Sequence, residues 1–289
     1  MVADVLVQGV LLGGLYGLFA LGQSLMFGVM RLTNTAHGDF IMLAAFGAIA
    51  GLMLVGASPS ATAGIALVLL PVSFAVGWAL QRFVLNGTVG RDPMPSLVVT
   101  FGLAIVIQNL LLELFSADPR SIETAGFNTR SVEFFGAMTV GALPLLILLI
   151  AVAATAALQW LFSGTSIGRS FRAVSDDPEV AELMGLHAGR VYALATGIAF
   201  LVVAIAGVLQ AMRTTVAPSD GPLLLLFSFE AVIIGGMGSF WGTLAGAMLL
   251  GVAQQVGFRF DPGWGIWFGH LVFLAVLVLR PQGLFPKTR

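Results

Sequence analysis

Residues 138–162, MTVGALPLLILLIAVAATAALQWLF, decide the fold class of this chain. The stretch contains no Asp, Glu, Lys or Arg. A helix needs roughly 20 mainly apolar residues to cross about 30 Å of hydrocarbon. Because lipid offers no partner to backbone polar groups, a spanning segment must be a helix or a strand of a closed barrel, and this run lacks the alternation of a barrel strand. It therefore predicts a membrane-spanning helix.

Comparable apolar runs recur along the whole chain. They lie at residues 5–29, 38–57, 61–85, 95–116, 190–212, 238–258 and 264–280, with a shorter run at 223–236. We expect an all-α, polytopic transmembrane helix bundle of eight or nine spans, forming a single domain over residues 1–289.

The composition of the chain excludes several classes of protein. Of its 289 residues 58% are hydrophobic and 9% are charged, against roughly 25% charged residues in soluble domains. The chain is therefore neither a water-soluble enzyme, nor a nucleic-acid-binding protein, nor a disordered protein. It has no cysteine, which excludes disulfides and Cys-ligated metals. Its three histidines, His37, His187 and His270, are far apart in sequence, so we expect no metal site.

Cation placement predicts the orientation in the membrane. No basic segment precedes the first run, so we expect no cleaved signal sequence. Segments 29–37, 82–94, 163–190 and 281–289 are predicted to be cytoplasmic, and together with Arg280, directly before the last segment, they hold nine of the 13 cations. The N-terminus is then outside and the C-terminus inside if 223–236 crosses. The nine are Arg31, Arg82, Arg91, Arg169, Arg172, Arg190, Arg280, Lys287 and Arg289, and the other four are Arg120, Arg130, Arg213 and Arg259.

Glycines recur every fourth residue near both ends of the chain. Such stripes allow close packing of helix backbones in lipid. Their presence in both halves hints at an internal structural repeat. For each stripe alone we favour tight packing with no role in transport, and the striped faces are also candidates for contact with a second subunit. The stripes are Gly9, Gly13 and Gly17, and Gly238, Gly242 and Gly246.

Two motifs of soluble enzymes are absent or out of context. A P-loop needs lysine after glycine, whereas the sole lysine, Lys287, follows Pro286. Residues 164–168, GTSIG, match the G-x-S-x-G pattern of serine hydrolases, but that motif works on a strand-to-helix turn. Here we expect a flexible transition from a helix to a loop, and no catalytic residue.

Residues 168–185, GRSFRAVSDDPEVAELMG, are the most informative stretch between two predicted spans. Asp177 is a favourable N-cap and Pro178 suits the first helical position. Glu179 suits the positive end of a helix, and Gly185 suits its C-terminus. The sequence predicts a short, capped helix, which is either a solvated surface turn or a docking element for a cytoplasmic partner.

Polar residues also stand at the mouth of the second predicted span. Asn34, His37 and Asp39 are candidates for a translocation path or gate, because ionisable groups in a membrane are costly. The alternative is structural: Asn34 or Thr35 could cap the helix, and Asp39 could interact with its dipole.

Two later segments carry further candidates for the path. Asn109 and Glu113 are one turn apart in the fourth span, where Glu113 either faces a partner or reaches the interface. Glu230 interrupts the short run before a glycine-rich segment, a pattern typical of a broken or re-entrant helix near 223–240. We hypothesise that Glu230 and this segment border the pore. The segment's candidates are Gly235, Gly236, Gly238 and Ser239.

Four of these motifs together resemble a known family. NTAHGD at 34–39, the 168–185 stretch, GGMGS at 235–239 and RPQGLF at 280–285 are similar to the permease subunits of branched-chain amino acid ABC importers of the LivH type. The match covers nearly the whole chain in order. Thr35 stands where the family commonly has a bulky apolar residue, and Asp39 stands in place of a frequent glutamate.

The resemblance implies a transport subunit, not an enzyme, in the bacterial inner membrane. Its partners would be a second related permease, two ABC ATPases that bind ATP and magnesium, and a periplasmic binding protein, with no cofactor on this chain. Segment 164–190 would be the loop that couples to an ATPase. The resemblance places at that contact Gly168, Arg169, Arg172, Ala173, Asp176, Asp177, Pro178, Glu179, Ala181, Leu183, Met184 and Gly185.

Alternatives to this function stay open at the level of sequence. The substrate could be a branched-chain or related small hydrophobic amino acid, urea or a short amide. A channel or secondary carrier that works without ATP is a rival, and a membrane enzyme using Ser166 is a third reading.

Overall fold

The structure, a computed structural model, describes residues 2–90, 92–123, 126–127, 130–134 and 138–285. Three of the cations used above to predict orientation, Arg91, Lys287 and Arg289, lie outside the described residues.

Helices account for nearly all of the regular structure. The helices are α1 Val2–Met30, α2 His37–Val55, α3 Pro59–Phe83, α4 Met94–Phe115, α5 Ala142–Gly164, α6 Ser166–Asp176, α7 Pro178–Leu183, α8 Ala188–Arg213, α9 Gly221–Gly235, α10 Phe240–Phe260 and α11 Gly265–Leu279, with 3-10 turns at Leu85–Gly87 and Pro218–Asp220. Strands β1 Ser131–Phe134 and β2 Met138–Gly141 form one antiparallel hairpin.

The long helices pass back and forth between two ends of the bundle. We name these the α7 end, where α6 and α7 lie, and the hairpin end, where β1 and β2 lie. Seven helices are long and apolar enough to cross a membrane. Helix α10, of 21 residues, and α11, of 15 residues, complete nine passes through the described part of the chain. The predicted all-α polytopic membrane bundle is confirmed, and nine passes agree with the predicted eight or nine spans.

The fifth span begins later than the sequence predicts. Residues 138–141 belong to β2, which pairs with β1 so that Ser131 faces Gly141. Gly141 has an extended backbone, and helix α5 begins at Ala142. Pro144 lies in the first helical turn, where its missing N–H has no intrahelical role. The apolar run therefore contains both a strand and a helix.

The glycine stripes pack within the chain. A Cβ on Gly9 would lie within 2.5 Å of the Val252 backbone, and one on Gly246 would lie 2.6 Å from the backbone nitrogen of Gly235. The first stripe thus brings α1 against α10, and the second brings α10 against α9. The expectation that these faces meet a second subunit is wrong, because the chain's own helices already fill the space that the glycines leave.

The short run at 223–236 is the helical part of a broken crossing. Helix α8 ends at the hairpin end, and the non-helical segment after it pairs through Val216 with Arg120. Helix α9 then reaches the α7 end, where the backbone N–H of Leu284 donates to the Ile234 carbonyl oxygen over 2.8 Å. Gly236 and Gly238 turn the chain with positive φ angles of 101° and 82°. The run crosses and does not re-enter.

Helix α2 also begins inside the bundle. Residues 31–36 leave α1 as non-helical chain, starting with a positive φ of 52° at Arg31. His37 Nε2 hydrogen-bonds with the Phe19 carbonyl oxygen over 2.7 Å. Phe19 lies about 16 Å along α1 from its end at Met30, given a rise of about 1.5 Å per residue. Segment 31–36 therefore turns back between the helices before α2 starts.

Candidate functional site: two buried helix starts and the exposed helix α7

The starts of α2 and α9 meet in the interior. A Cβ on Gly38 would lie 2.8 Å from both the carbonyl carbon of Gly221 and the backbone nitrogen of Leu225. Asp39 is 2% exposed, and its carboxylate lies against Gly221, where any Cβ would overlap it. A carboxylate is favoured beside the positive end of a helix. Asp39 thus faces the start of α9 as well as belonging to the start of α2.

Hydrogen bonds fix the segment that leads into α2. Asn34 Oδ1 accepts from the Ala36 N–H over 3.0 Å. The Thr35 hydroxyl lies 2.8 Å from the Thr100 hydroxyl on α4. The N-cap residue of α2 is Ala36, and no side chain caps the helix. The prediction that Asn34 or Thr35 caps α2 is therefore wrong, because the Asn34 side chain holds the turn one residue earlier and the Thr35 side chain contacts another helix.

Several buried polar atoms around this junction have no hydrogen-bond partner among the described residues. They are Asn34 Nδ2, His37 Nδ1, Asp39 Oδ1 and both amide atoms of Gln23. Buried polar groups are nearly always paired, so these atoms give the junction an unused capacity to bind polar groups. Gln23 was not predicted from the sequence, in which its signal is an amide in the middle of an apolar span.

A second polar cluster joins α9, α10, α11 and α1. Glu230, 1% exposed, hydrogen-bonds through Oε1 with Nδ1 of His270 on α11. The Tyr16 hydroxyl donates to Gln254 Oε1 over 2.7 Å, and the Tyr16 ring lies 4.7 Å from that of Phe227. This cluster ties α11 to α9 and α10 to α1. The sequence did not identify His270 as the partner of Glu230, because the two residues are far apart along the chain.

The glycine-rich segment after Glu230 lies at the α7 end. Gly235 packs against the backbone of Gly242, and Ser239 caps α10 by accepting from the Gly242 N–H over 3.2 Å. Glu230 and Gly235 are both buried within this protomer. They are surrounded by the chain's own helices, so their role at a pore stays a hypothesis.

Helix α4 carries its two candidates on an exposed face. Asn109 and Glu113 are both exposed, and Asn109 Nδ2 donates to the carbonyl oxygen of Ile105 in its own helix over 2.8 Å. Only 17% of the apolar window of α4 is buried, whereas that of α1 is 72% buried. Among the described residues, α4 is therefore a helix with a largely uncovered face that bears polar groups.

Helix α7 is capped as the sequence predicts. Asp177 Oδ1 accepts from the N–H groups of Glu179 and Val180 over 2.9 and 3.0 Å. Pro178 is the first residue of the helix. Gly185, with a φ of 86°, follows the helix, and the Leu186 N–H donates to the Ala181 carbonyl oxygen over 3.0 Å. The prediction of a short, capped helix is confirmed.

The corner between α5 and α6 is structured and is not a flexible loop. Thr165 caps α6 by accepting from the Gly168 N–H over 3.1 Å, so residues 164–168 join two helices and form no strand-to-helix turn. The expectation of a flexible transition is wrong because Gly168 is buried in α6, where an added Cβ would overlap the carbonyl oxygens of Leu161 and Phe162.

The residues predicted for coupling divide into an exposed set and an anchoring set. Gly168 and Ala181 are buried, together with Phe171 and Val174, and they hold α6 and α7 on the bundle. Arg172 is half-buried and donates to the Phe162 carbonyl oxygen. The exposed residues are Arg169, Ala173, Asp176, Asp177, Pro178, Glu179, Leu183, Met184 and Gly185.

Helix α6 connects this exposed surface to the interior. The Ser175 hydroxyl donates to the Gly28 carbonyl oxygen near the end of α1 over 2.9 Å. A Cβ on Gly28 would lie 3.2 Å from the Cα of Gly238, in the turn between α9 and α10. Helix α6 thus contacts the end of α1, and the end of α1 in turn lies against the turn that follows α9.

Comparison with known proteins gives the family of the chain. A family profile described as "Branched-chain amino acid transport system / permease component" matches residues 5–280. The chain belongs to this permease family. It is a multi-pass membrane protein, and the predicted resemblance is confirmed.

Individual relatives agree along nearly the whole length. The permease BraD of a high-affinity branched-chain amino acid transport system in Pseudomonas aeruginosa is 28% identical, over 98% of this chain and 95% of BraD. LivH of Salmonella typhimurium is 28% identical, over 97% of this chain and 94% of LivH. The fructose import permease FrcC of Rhizobium meliloti is 30% identical, over 67% of this chain and 58% of FrcC. The family relationship therefore extends to permeases named for chemically different substrates.

Proposed function

We propose that this chain is a permease subunit of an ABC importer that moves branched-chain amino acids across the bacterial inner membrane. The observation that carries the proposal is the similarity to BraD and LivH over nearly the full length of all three chains. Transport proceeds by alternating access, driven by ATP hydrolysis on separate subunits. The assembly contains a second related permease, two ABC ATPases that bind ATP and magnesium, and a periplasmic binding protein.

The exposed surface of α7 supports an ATPase contact. Val180, Leu183 and Met184 are 53%, 86% and 80% exposed, although they lie at an end of the bundle where water is the solvent. Apolar side chains grouped at such a surface mark a site of protein interaction. The cap at Asp177 gives α7 a fixed shape before it meets its partner. In our proposal α7 is the coupling helix.

The contacts of α6 supply a mechanical route from the ATPase to the interior. A push on α7 moves α6, since Asp177 follows the last residue of α6 directly. The Ser175 bond to Gly28 and the close approach of Gly28 to Gly238 carry that movement to α1 and α9. Helix α9 starts against Asp39, so its displacement would rearrange the buried junction. We propose this rearrangement as part of the alternating-access step.

The distribution of cations supports a cytoplasmic α7 end. Among the described residues six arginines lie at that end and four at the hairpin end. Cytoplasmic segments of membrane proteins are enriched in Lys and Arg. The N-terminus would then be outside and the C-terminus inside. The six are Arg31, Arg82, Arg169, Arg172, Arg190 and Arg280, and the four are Arg120, Arg130, Arg213 and Arg259.

The exposed face of α4 supports a translocation path between two permeases. Polar side chains facing hydrocarbon are costly, so Asn109 and Glu113 fit a face that meets water or a second permease. The chain has no native cysteine, which allows a direct test in the assembled importer. We expect Asn109→Cys to react with a membrane-impermeant thiol reagent, and Leu149→Cys, on the exposed apolar face of α5, not to react. Equal inertness of both would contradict this path.

Transport itself is tested by reconstitution. The chain is purified from its host with the subunits that remain bound, which are identified by mass spectrometry and placed in proteoliposomes with the binding protein. We expect a second permease, two ATPases and ATP-dependent uptake of labelled leucine, isoleucine or valine. Urea and acetamide serve as competing substrates. Uptake without ATP by this chain alone would overturn the importer, and preference for urea or acetamide would overturn the substrate.

A further inference from the structure

A cleft separate from the junction and from α7 lies near the hairpin end. Its volume is about 550 Å³, and it is bounded by α3, α5 and α8. Ala63 and Ala66 on α3, Leu146 and Ile150 on α5 and Val208 on α8 contribute to its walls. The two alanines leave room that larger side chains would fill. Helix α3 packs mainly on α8, and α5 stands apart from α3 among the described residues, so the cleft lies between them.

The cleft lies beside exposed apolar residues of α3. Leu67 and Val68, next to Ala66 on α3, are 67% and 63% exposed. Pro59, which begins α3, and Ala66 both line the cleft and are separated by about 10 Å of helix. The cleft therefore extends from the hairpin end into the apolar depth of the bundle, with the dimensions of part of an acyl chain.

One cationic group stands at the hairpin end of the cleft. Arg130 lines it and is exposed. A guanidinium binds phosphate through paired, charge-assisted hydrogen bonds. The hydroxyl of Thr62, also on the wall, already donates to the Ser58 carbonyl oxygen over 2.9 Å.

The chemistry of the walls discriminates between ligands. An amino acid has an ammonium group as well as a carboxylate, and none of the described lining residues is acidic. The ammonium would lose its hydration without a replacement, which is costly for a charge. A phospholipid needs only an apolar cavity for its acyl chain and a cation for its phosphate, and the cleft offers both.

We propose that this cleft is a phospholipid site, in which an acyl chain lies between α3 and α5 and the headgroup phosphate binds Arg130. The site belongs to the leaflet at the hairpin end. A bound lipid would fill the gap that α5 leaves beside α3 and α8, and so stabilise the packing of these three helices. The proposal does not depend on the transported substrate.

The test uses the full-length chain, with whatever subunits remain bound, in mild detergent. Native mass spectrometry counts the retained phospholipid, and thermal unfolding is recorded with and without added phosphatidylglycerol. Ala63→Phe fills the cleft, with Ala75→Phe on the exposed surface of the same helix as control. Arg130→Gln removes the cation, with Arg259→Gln at the same end as control.

We expect wild type and both controls to retain one phospholipid per chain and to gain stability from phosphatidylglycerol. Ala63→Phe should retain none, and Arg130→Gln should bind about tenfold more weakly, as for loss of a hydrogen bond to a charged group. The proposal is overturned if Ala63→Phe retains as much lipid as Ala75→Phe, or if only detergent is bound. It is also overturned if Ala63→Cys cross-links to another protein chain. Should Ala63→Phe fail to fold, equal stabilisation of Arg130→Gln and Arg259→Gln by the lipid decides against it.

Discussion

Two aspartates at helix starts, Asp177 and Asp39, do opposite things in this molecule. Asp177 is exposed and caps its own helix, α7, through N–H groups two and three residues ahead. Asp39 is buried and lies against Gly221, at the start of a different helix, α9. Asp177 thus forms a local cap on the surface, and Asp39 forms a tertiary contact in the core.

This difference shows that α7 forms a contact surface, whereas the junction of α2 and α9 supports the fold. Only residues next to α7 determine its cap, so its exposed residues can change without disturbing the bundle, whereas the buried Ala181 anchors it. The junction of α2 and α9 depends on close packing of two backbones, so a change there must disturb both helices. Substitutions at the junction should therefore cost stability, and substitutions of the exposed residues of α7 should cost coupling alone.

The largest effect should come from Gly38→Val at the junction. A side chain here meets the backbones of Gly221 and Leu225, which cannot move aside as a flexible side chain can. We expect a loss of about 3 kcal/mol or more, at the upper end of overpacking effects, seen as a lower midpoint of thermal unfolding in detergent. Gly64→Val, where an added Cβ meets nothing within 4 Å, is the matched control. Similar midpoints for the two variants would refute the close packing of the helix starts.

Tyr16→Phe tests the second buried cluster and should have a smaller effect. The change removes the hydroxyl that donates to Gln254 Oε1, and Gln254 Nε2 already has no partner among the described residues. Leaving a buried acceptor unpaired costs roughly 1–3 kcal/mol, which the unfolding midpoint should report. Tyr192 is buried in α8, but its hydroxyl makes no hydrogen bond to the described residues, so Tyr192→Phe should change the midpoint little. If Tyr192→Phe is the more destabilising of the two, the bond from Tyr16 does not support the fold.

Sequence reasoning predicted the local features of this chain and few of its long-range contacts. The spans and the cap at Asp177 follow from residues close together in sequence, and the structure confirms both. The contact of Asp39 with Gly221 and that of Glu230 with His270 join distant segments, for which one sequence carries no signal. The glycine stripes show the same limit: spacing predicts close packing, yet it does not identify α10 as the partner of α1.

The non-helical segments were hidden for a different reason. Residues 31–36 and 214–217 lie beside apolar runs, and hydropathy does not distinguish a helix from a non-helical chain that other helices surround. Segment 31–36 is held by Asn34 and Thr35, whose bonds reach Ala36 and Thr100. From the sequence, a polar residue near a span is equally consistent with a helix cap and with a contact to another helix. Only the fold distinguishes these two roles.

Asp177→Ala tests whether α7 is separable from the bundle. Loss of an N-cap costs about 1 kcal/mol of helix stability. Here the cost affects α7, a surface helix of 6 residues. We expect an unchanged unfolding midpoint for the whole chain and reduced ATP-driven uptake by the reconstituted importer. Asp177→Asn keeps a capping oxygen and should retain uptake. If Asp177→Asn loses as much uptake as Asp177→Ala, the charge and not the cap is what the ATPase requires.

Leu183→Ala should have the smallest effect on the stability of the fold. It therefore distinguishes best between a residue that binds the ATPase and a residue that stabilises the bundle. Leu183 is 86% exposed, and surface substitutions usually change stability by less than about 0.5 kcal/mol. If its side chain fills a pocket of an ATPase, truncation should weaken binding of that subunit about tenfold, as for a residue that dominates an interface. Leu67→Ala, an equally apolar change on an exposed face of α3, should leave the affinity unchanged, because that face meets lipid and not water. Equal affinities for the ATPase in both variants would mean that α7 is a solvated turn, and the surface that receives the ATPase would then have to be sought elsewhere at the α7 end.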